Sequence, residues 1–480
     1  MDTKEIEKKI LEDPILSKLS NLAKDVNVPL FLVGGYIRDL FLGTHRPGPR
    51  VLRRSLPPAA GQTGKDYDFT MAKDASSFIS MMEKALHLRF FKVGKEEMGK
   101  ATFRITNQNV SMDITFFQGR TIEEDLQRRD FTINAVAFSL LDEKFQWVEG
   151  ALEDMEKRVI RTVTNRSIDQ DPLRMLRAVR YLCTLESFFM DIGLREEISL
   201  KKEHIDKLPG ERIKMELDQI LLSPRPEVGM KSLYELGLLL TLFPELKGLE
   251  NLGQSEHHHL NVLSHTLLMV EKISWASEWI DLDERKIHFT QEGWLSLYYA
   301  ALFHDMGKQD TFSKDEKERV HFYHHESYSC QRAESIMEKL RFSNPARNKI
   351  LRLIQNHMRI LNLSQETKET ALKRLVNQIG DDIPLLVLHT LADKEASRGI
   401  LSTQMDEVIE NHCLRILELF REKEIVHPSP FITGHDVIAL GYPPGPRVGQ
   451  ILNCIREKQI EGEIRTREEA LKVLKEKFGA

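Results

Sequence analysis

The sequence predicts a multidomain protein, with a small α/β head at the amino end and an all-helical remainder. Three observations carry this reading. A chain of 480 residues exceeds one ordinary domain, so two to four are expected. Strand-like apolar runs fall within roughly the first 140 residues, mixed with helical patterns. Beyond about residue 150, apolar residues recur almost everywhere at helical spacing. A composition of 41% hydrophobic and 29% charged residues is that of a globular chain and excludes a wholly disordered or fibrous one.

In chain order, Ile6, Ile10, Leu11, Ile15, Leu16 and Leu19 mark a helical face. The apolar run 29–33 reads as a strand broken by Gly34-Gly35, with further strands at 67–71 and 110–117. Helices are expected over 168–185, 211–222, 230–240, 262–275, 294–303, 328–340, 348–361 and 383–396. Between 40 and 65 there is no acidic residue, while Arg46, Arg50, Arg53, Arg54 and Lys65 sit among prolines and glycines. This stretch reads as a basic loop, more simply a solvated insertion than an RNA-contacting arm. No apolar run reaches the ~20 residues a membrane helix needs, and the start shows no apolar signal region. Cys183, Cys330, Cys413 and Cys454 form no CxxC pair, which fits reduced thiols in a cytoplasm and no zinc ribbon. A net charge of −5 neither announces nor excludes a nucleic-acid partner, because local patches decide that.

Four short motifs carry chemistry. Gly34-Gly35, between a strand and a helix start, lets backbone amides approach an anion. In Asp66-Tyr67-Asp68 the two acids share one strand face and suit Mg²⁺; alone they could be a solvated pair at a strand end. The runs 128–135 (RRDFTINA) and 168–181 (IDQDPLRMLRAVRY) add cations, carboxylates and an amide, with Asp171, Arg174 and Arg177 at helical spacing.

Taken in order, these motifs resemble the class II tRNA nucleotidyltransferase and bacterial poly(A) polymerase family. Weaker echoes lie at 150–161, at Gly210-Glu211-Arg212 with Glu216, and at 431–449. The resemblance implies a polymerase-β-like head over 1–145, a helical neck and body over 146–255, and a helical tail over 426–480. It implies template-independent addition of C and/or A from CTP and ATP to the 3′ end of tRNA. Asp66 and Asp68, with Asp113, would hold catalytic Mg²⁺. Gly34, Gly35 and Arg38 would grip the triphosphate, and Asp130 and Asn134 would address the sugar. Arg129, Arg177 and Arg180 join the nucleotide-binding set, and Asp171 and Arg174 would read the base. A carboxylate accepts from cytosine N4 or adenine N6, whereas U and G present a carbonyl there. The resulting unpaired polar groups cost ~1–3 kcal/mol. The basic residues Lys201, Lys202, Lys207, Arg447 and Arg456 are candidates for tRNA backbone contacts, and a homodimer is left open.

The chain departs from the family pattern in three places. Gln170 stands where glutamate is usual, the 40–65 insertion separates the Arg-Asp turn from Asp66, and the connection from Phe117 to Glu123 is short. The last departure weakens terminal A addition and keeps CC-only, A-only and poly(A) alternatives open.

In the helical half, His265, His304-Asp305, His325, His357 and Asp393 follow the order of an HD-type metal-dependent phosphohydrolase, expected over 256–425. A lone buried histidine is usually a satisfied core residue, but a His-Asp pair closing an apolar helix demands a partner. By this resemblance His265, His304, Asp305 and Asp393 hold one divalent transition metal or Mg²⁺. His325 and His357 hold a second metal or a phosphate, and Lys308 steadies a phosphate. Asn261 occupies a spot where aspartate is frequent. An alternative from another class is a phosphohydrolase whose head only docks RNA.

Overall fold

In a computed structural model of the chain, the described residues are 2–43, 65–72, 75–93, 102–106, 110–253, 260–281, 284–397 and 404–478. Most of the expected basic loop therefore lies outside them. The chain divides into two compact units, Met1–Pro244 and Glu245–Ala480. No described helix is long and apolar enough to cross a membrane. All four cysteines are free thiols.

The first unit is built on a seven-stranded sheet of order β3-β4-β5-β2-β1-β6-β7. Its strands are β1 (Leu30–Val33), β2 (Lys65–Met71), β3 (Phe91–Val93), β4 (Thr102–Thr106), β5 (Val110–Phe116), β6 (Val136–Ser139) and β7 (Lys144–Trp147). Among these described strands, β2–β5 is the one neighbouring pair that is parallel, the others pairing antiparallel. All four residues of β1 are buried, as a continuous apolar run in a central strand should be. The sequence reading missed β3, β4, β6 and β7. Thr102–Thr106 carries an arginine at its centre, and Val136–Ser139 hides inside a longer apolar stretch, so neither shows clean alternation.

Aspartate and proline punctuate the helices. The expected amino-terminal helix is two, α1 (Thr3–Glu12) and α2 (Pro14–Val26), divided at Asp13, whose carboxylate caps Ile15 N and Leu16 N at 3.0 and 3.2 Å. The helix expected over 168–185 is likewise divided. It becomes Ser167–Gln170 and Arg174–Thr184, with Asp171 extended between them at φ −150° and ψ 98°. The residue before proline is pushed out of the α region, so Asp171 does not share a helix face with Arg174 and Arg177 as the spacing suggested. Gly237, at φ +74°, similarly splits the helix expected over 230–240.

Among its described residues, the regular structure of the second unit is helical apart from a short hairpin, Phe312–Lys314 with Val320–Phe322. Helix Ile383–Ala396, buried nearly all round, runs where the sequence placed it. The tail helices Pro446–Ile460 and Arg467–Phe478 enclose their own small core of Ile451, Ile455, Ala470 and Leu474.

Asp13 does more than cap α2. Its Oδ2 also accepts the hydroxyls of Tyr67 (2.9 Å) and Tyr36 (3.2 Å) and pairs with Lys65, so one carboxylate ties α2 and α3 (Gly35–Phe41) to strand β2. Burial would raise its pKa, but the hydrogen bonds from Lys65, Leu16 N and Tyr67 win and hold it below the usual carboxylate range. Asp13→Ala should lower stability of the first unit by about 3 kcal/mol, from a lost cap and two stranded buried hydroxyls. Tyr36→Phe should cost less than half as much, and urea melts of both variants check the ratio. Because the folded pKa is depressed, the Asp13 contribution is complete above its unfolded pKa and fades as pH falls through the folded value.

Candidate functional site

Strand alternation sends Tyr67 down onto Asp13 and leaves Asp66 and Asp68 together on the other face of β2. The parallel register sets Asp113 of β5 opposite Asp68 and Ser111 opposite Asp66. Three carboxylates thus converge. Burial, followed by the charge of Asp66, pushes Asp68 up to about 6, with Arg129 opposing. Asp66 is raised as well, by burial and by Asp113, against a hydrogen bond from Ser111. Asp113 is balanced by Arg104, whose Nε and Nη2 reach its two oxygens at 2.7 and 2.6 Å. Mutual repulsion of this kind is what a divalent cation relieves, and all-oxygen donors fit Mg²⁺.

Beside the acids lies a polar cleft of about 410 Å³, lined by Gly34, Gly35, Asp68, Asp113, Arg128, Arg129, Asp130, Asn134, Arg174 and Arg177 among others. Gly34, at φ +77°, opens α3, and a Cβ there would stand 3.1 Å from Asp68 Oδ2. The backbone can approach a ligand there only because no side chain intervenes.

From the cleft wall inward runs a charge network. Arg38 Nη1 donates to Asn134 Oδ1 (2.9 Å), and Asn134 Nδ2 donates to Asp130 Oδ1 (3.1 Å). Asp130 Oδ2 pairs with Arg177 (2.9 Å), and Arg180 pairs with Glu216 (2.8 Å). Burial would raise the Asp130 pKa, yet Arg177, Asn134 and the Phe131 amide hold it low. The expected triphosphate residue Arg38 is enclosed here, against Asp39, Asn134 and the Tyr181 ring, and Arg180 also stands behind the cleft; neither lines it. Asp171 does not line it either. Its Oδ2 is held by Arg212 at 2.8 Å and its Oδ1 caps Leu173 N, whereas Arg174 reaches the wall with its guanidinium on the carbonyls of Ser167 and Arg128. The sequence reading gave no specific role to Arg128 or Arg212, although both fell within quoted motifs, and Arg104, on a strand it had not placed, carried no local signal. Of the basic residues proposed for tRNA, Lys201 is engaged by Asp169 (2.7 Å) and Glu197 (2.9 Å).

In the second unit all six predicted metal ligands come together, buried. His265 Nε2 lies 3.0 Å from Asp393, His304 Nε2 3.2 Å and His325 Nε2 3.3 Å from Asp305, and Lys308 Nζ 2.7 Å from Asp305. The sets His265–His304–Asp393 and His304–Asp305–His357 each have donor atoms close enough for one ion. Three rings are fixed by their backs. Nδ1 of His304, His325 and His357 meets the carbonyl three residues earlier (Ala301, Phe322, Ile354) at 2.9, 2.8 and 2.7 Å. A nitrogen facing a carbonyl must donate, so in the neutral ring Nε2 keeps its lone pair for a ligand. Nε2 of His325 and of His357 then face each other at 3.1 Å, an arrangement that calls for a proton or cation between them. Burial and the surrounding imidazoles press His357 well below its usual pKa, while the imidazoles and Lys308 overcome burial and keep Asp305 ionised. His389, absent from the sequence reading, is also enclosed beside this cluster.

Comparisons with known proteins agree with the head geometry. Residues 30–161 match the family described as "Poly A polymerase head domain", and 187–249 match "Probable RNA and SrmB- binding site of polymerase A". Residues 311–474 match a tRNA nucleotidyltransferase domain 2. A CC-adding tRNA nucleotidyltransferase of Thermus thermophilus is 32% identical over 449 residues, 92% of each chain. An A-adding tRNA nucleotidyltransferase of Deinococcus radiodurans is 30% identical over 358 residues, 73% of this chain and 78% of the relative. The solved structure of a CCA-adding enzyme with CTP shares the fold, at a TM-score of 0.66 and 20% identity, covering 100% of this chain and 99% of that one. With a relative this similar along nearly the whole length, and the ordered motifs gathered around one cleft, the chain belongs to the class II tRNA nucleotidyltransferase family.

Proposed function

We propose that this chain transfers nucleotides from CTP, ATP or both to the 3′ end of tRNA in the cytoplasm, without a nucleic-acid template. The observation that carries the reading is the convergence of Asp66, Asp68 and Asp113 beside a cleft walled by Gly34, Gly35 and arginines. When bound at these acids, Mg²⁺ would supply Lewis-acid activation of the RNA hydroxyl and offset charge on the leaving pyrophosphate. The chain's own part is positioning. Amides at Gly34 and Gly35 with Arg128 and Arg129 receive the triphosphate, and Asp130 with Asn134 orients the sugar. Arg177 from the cleft wall and Arg38 and Arg180 from behind support that pair, while Arg174 reads the base edge, joined by Asp171 on its release from Arg212. Segments 1–145 and 146–255 serve as head and neck, 256–425 as a hydrolase segment and 426–480 as tail.

Within this reading, addition of C alone is favoured by the connection after β5. Gln118 N is pinned to Asp125 Oδ1 and Arg120 N to Glu124 Oε2, both at 2.9 Å, and a Cβ on Gly119 would collide with Glu124 at 2.5 Å. A connection tied down this way leaves no lever for a switch from C to A. The near full-length CC-adding relative points the same way.

Labelled CTP and ATP, offered separately with tRNA lacking its 3′ CCA and with tRNA ending in CC, test the reading. We expect C on the first acceptor and no A on the second. Incorporation of A on the second together with C on the first makes the enzyme CCA-adding, A on the second alone makes it A-adding, and long A tails on unrelated RNA make it a poly(A) polymerase. Asp68→Asn should cut incorporation at least ~1,000-fold with tRNA binding retained, as expected for loss of charge stabilisation at the reacting phosphate. Protons and Mg²⁺ compete for Asp68, whose pKa lies at about 6. Apparent Mg²⁺ affinity, read from incorporation across a Mg²⁺ series, should therefore fall about tenfold per pH unit below that value and level off above it.

We infer further that the second unit hydrolyses phosphoesters such as RNA-end phosphates or 2′,3′-cyclic phosphates. The facing Nε2 atoms of His325 and His357 support a metal site there. Asp305→Ala should abolish metal-stimulated hydrolysis. Gly307→Ala should do nearly the same without touching a ligand, because its Cβ would stand 2.1 Å from the His325 carbonyl oxygen. Hydrolysis assays with nucleotide incorporation as the internal control check both variants.

A further inference from the structure

His389 lies one helical turn before Asp393 on helix Ile383–Ala396, so their side chains leave the same face. It has no solvent exposure. Its ring stands edge-on to His304 at 5.3 Å between centroids and 5.7 Å from His357. The four expected histidines space their own rings in the same range: 5.7 Å for His265–His304 and 5.1 Å for both His304–His357 and His325–His357. Neither nitrogen of His389 makes a hydrogen bond of good geometry among the described residues, although the Ala300 backbone is near. A polar ring so enclosed is costly unless something completes it. The nearest polar chemistry on the His304 side is the cluster itself.

We propose that His389 is a seventh member of the cluster, a positioning residue that presents a neutral imidazole nitrogen to a divalent ion held there or to its bound water. The inference rests on reading the cluster as a metal site. A backbone carbonyl, here Ala300, on one nitrogen would leave the other with its lone pair, the arrangement already seen at His304, His325 and His357. The donor set then gains a nitrogen from the same helix that supplies Asp393. A softer, more nitrogen-rich site favours a transition metal over Mg²⁺.

Cobalt(II) titration of the metal-free full chain, followed by visible absorption and chelator competition, tests the proposal. Wild type should bind the ion. His389→Phe, which keeps a ring but has no donor, should bind it at least ~10-fold more weakly with an altered cobalt spectrum, and His389→Gln should recover part of the affinity. His389→Leu, closer to histidine in volume than phenylalanine is and equally donor-free, decides the matter if phenylalanine overfills the site. Wild-type affinity and spectrum in a folded donor-free variant would overturn the role of His389 while leaving the metal site standing. Failure of the wild type to bind cobalt would overturn both.

Discussion

The head depends on one alternation along β2 and on the carboxylate that fixes it. With Tyr67 drawn down to Asp13, the neighbouring Asp66 and Asp68 must rise on the opposite face, and the register with β5 then fixes Asp113 beside them. A slip by one residue would bury two acids and expose a tyrosine. Asp13 is thus remote from the chemistry yet sets its geometry, holding the cap of α2, the hydroxyl of α3 and the acidic strand at one point.

Charge pairing separates scaffold from site. The chain satisfies Asp130 with an arginine, an amide side chain and a backbone amide, and Glu216 with Arg180, because an unpaired buried charge costs several kcal/mol. It leaves Asp66 and Asp68 underpaired, with Arg129 and a serine hydroxyl insufficient to bring either down to its ordinary pKa. Such a deficit, kept within a unit that neutralises its other deep charges, marks where a cation from outside belongs. The residues proposed to read the base follow the same logic: Asp171 is engaged by Arg212, and Arg174 is oriented by two carbonyls.

The sequence showed the site more clearly than the fold around it. Asp66-Tyr67-Asp68 was legible because period-two alternation is local, and Gly34 because its turn needs no side chain. The helix boundary at Asp171-Pro172 was equally local and was overlooked because the helical spacing of Asp171, Arg174 and Arg177 drew the pattern back across it. The bidentate Arg104–Asp113 pair was not legible: it joins antiparallel strands, one of which the sequence reading had not placed. His389 went unseen for a related reason, since a single histidine within a fully apolar helix has no period to betray which neighbours it meets.

The second cluster shows how helix ends prepare ligands. His304 and His357 are the C-cap residues of Gln291–Phe303 and Asn344–Asn356, where the last carbonyls lack intrahelical donors. Their Nδ1 atoms satisfy Ala301 and Ile354, so the same hydrogen bond that closes each helix also fixes the tautomer and aims Nε2 into the cluster. Both helices present their negative ends there, which favours a cation at the point where the Nε2 atoms converge. Gly307 lets the following turn press against the His325–Ser329 backbone, where any side chain would collide, so the third ring, whose Nδ1 meets the Phe322 carbonyl away from a helix C-terminus, is set by packing as well. Replacing a ligand therefore removes one donor, whereas disturbing a helix end or this close contact misdirects a ring whose chemistry is intact.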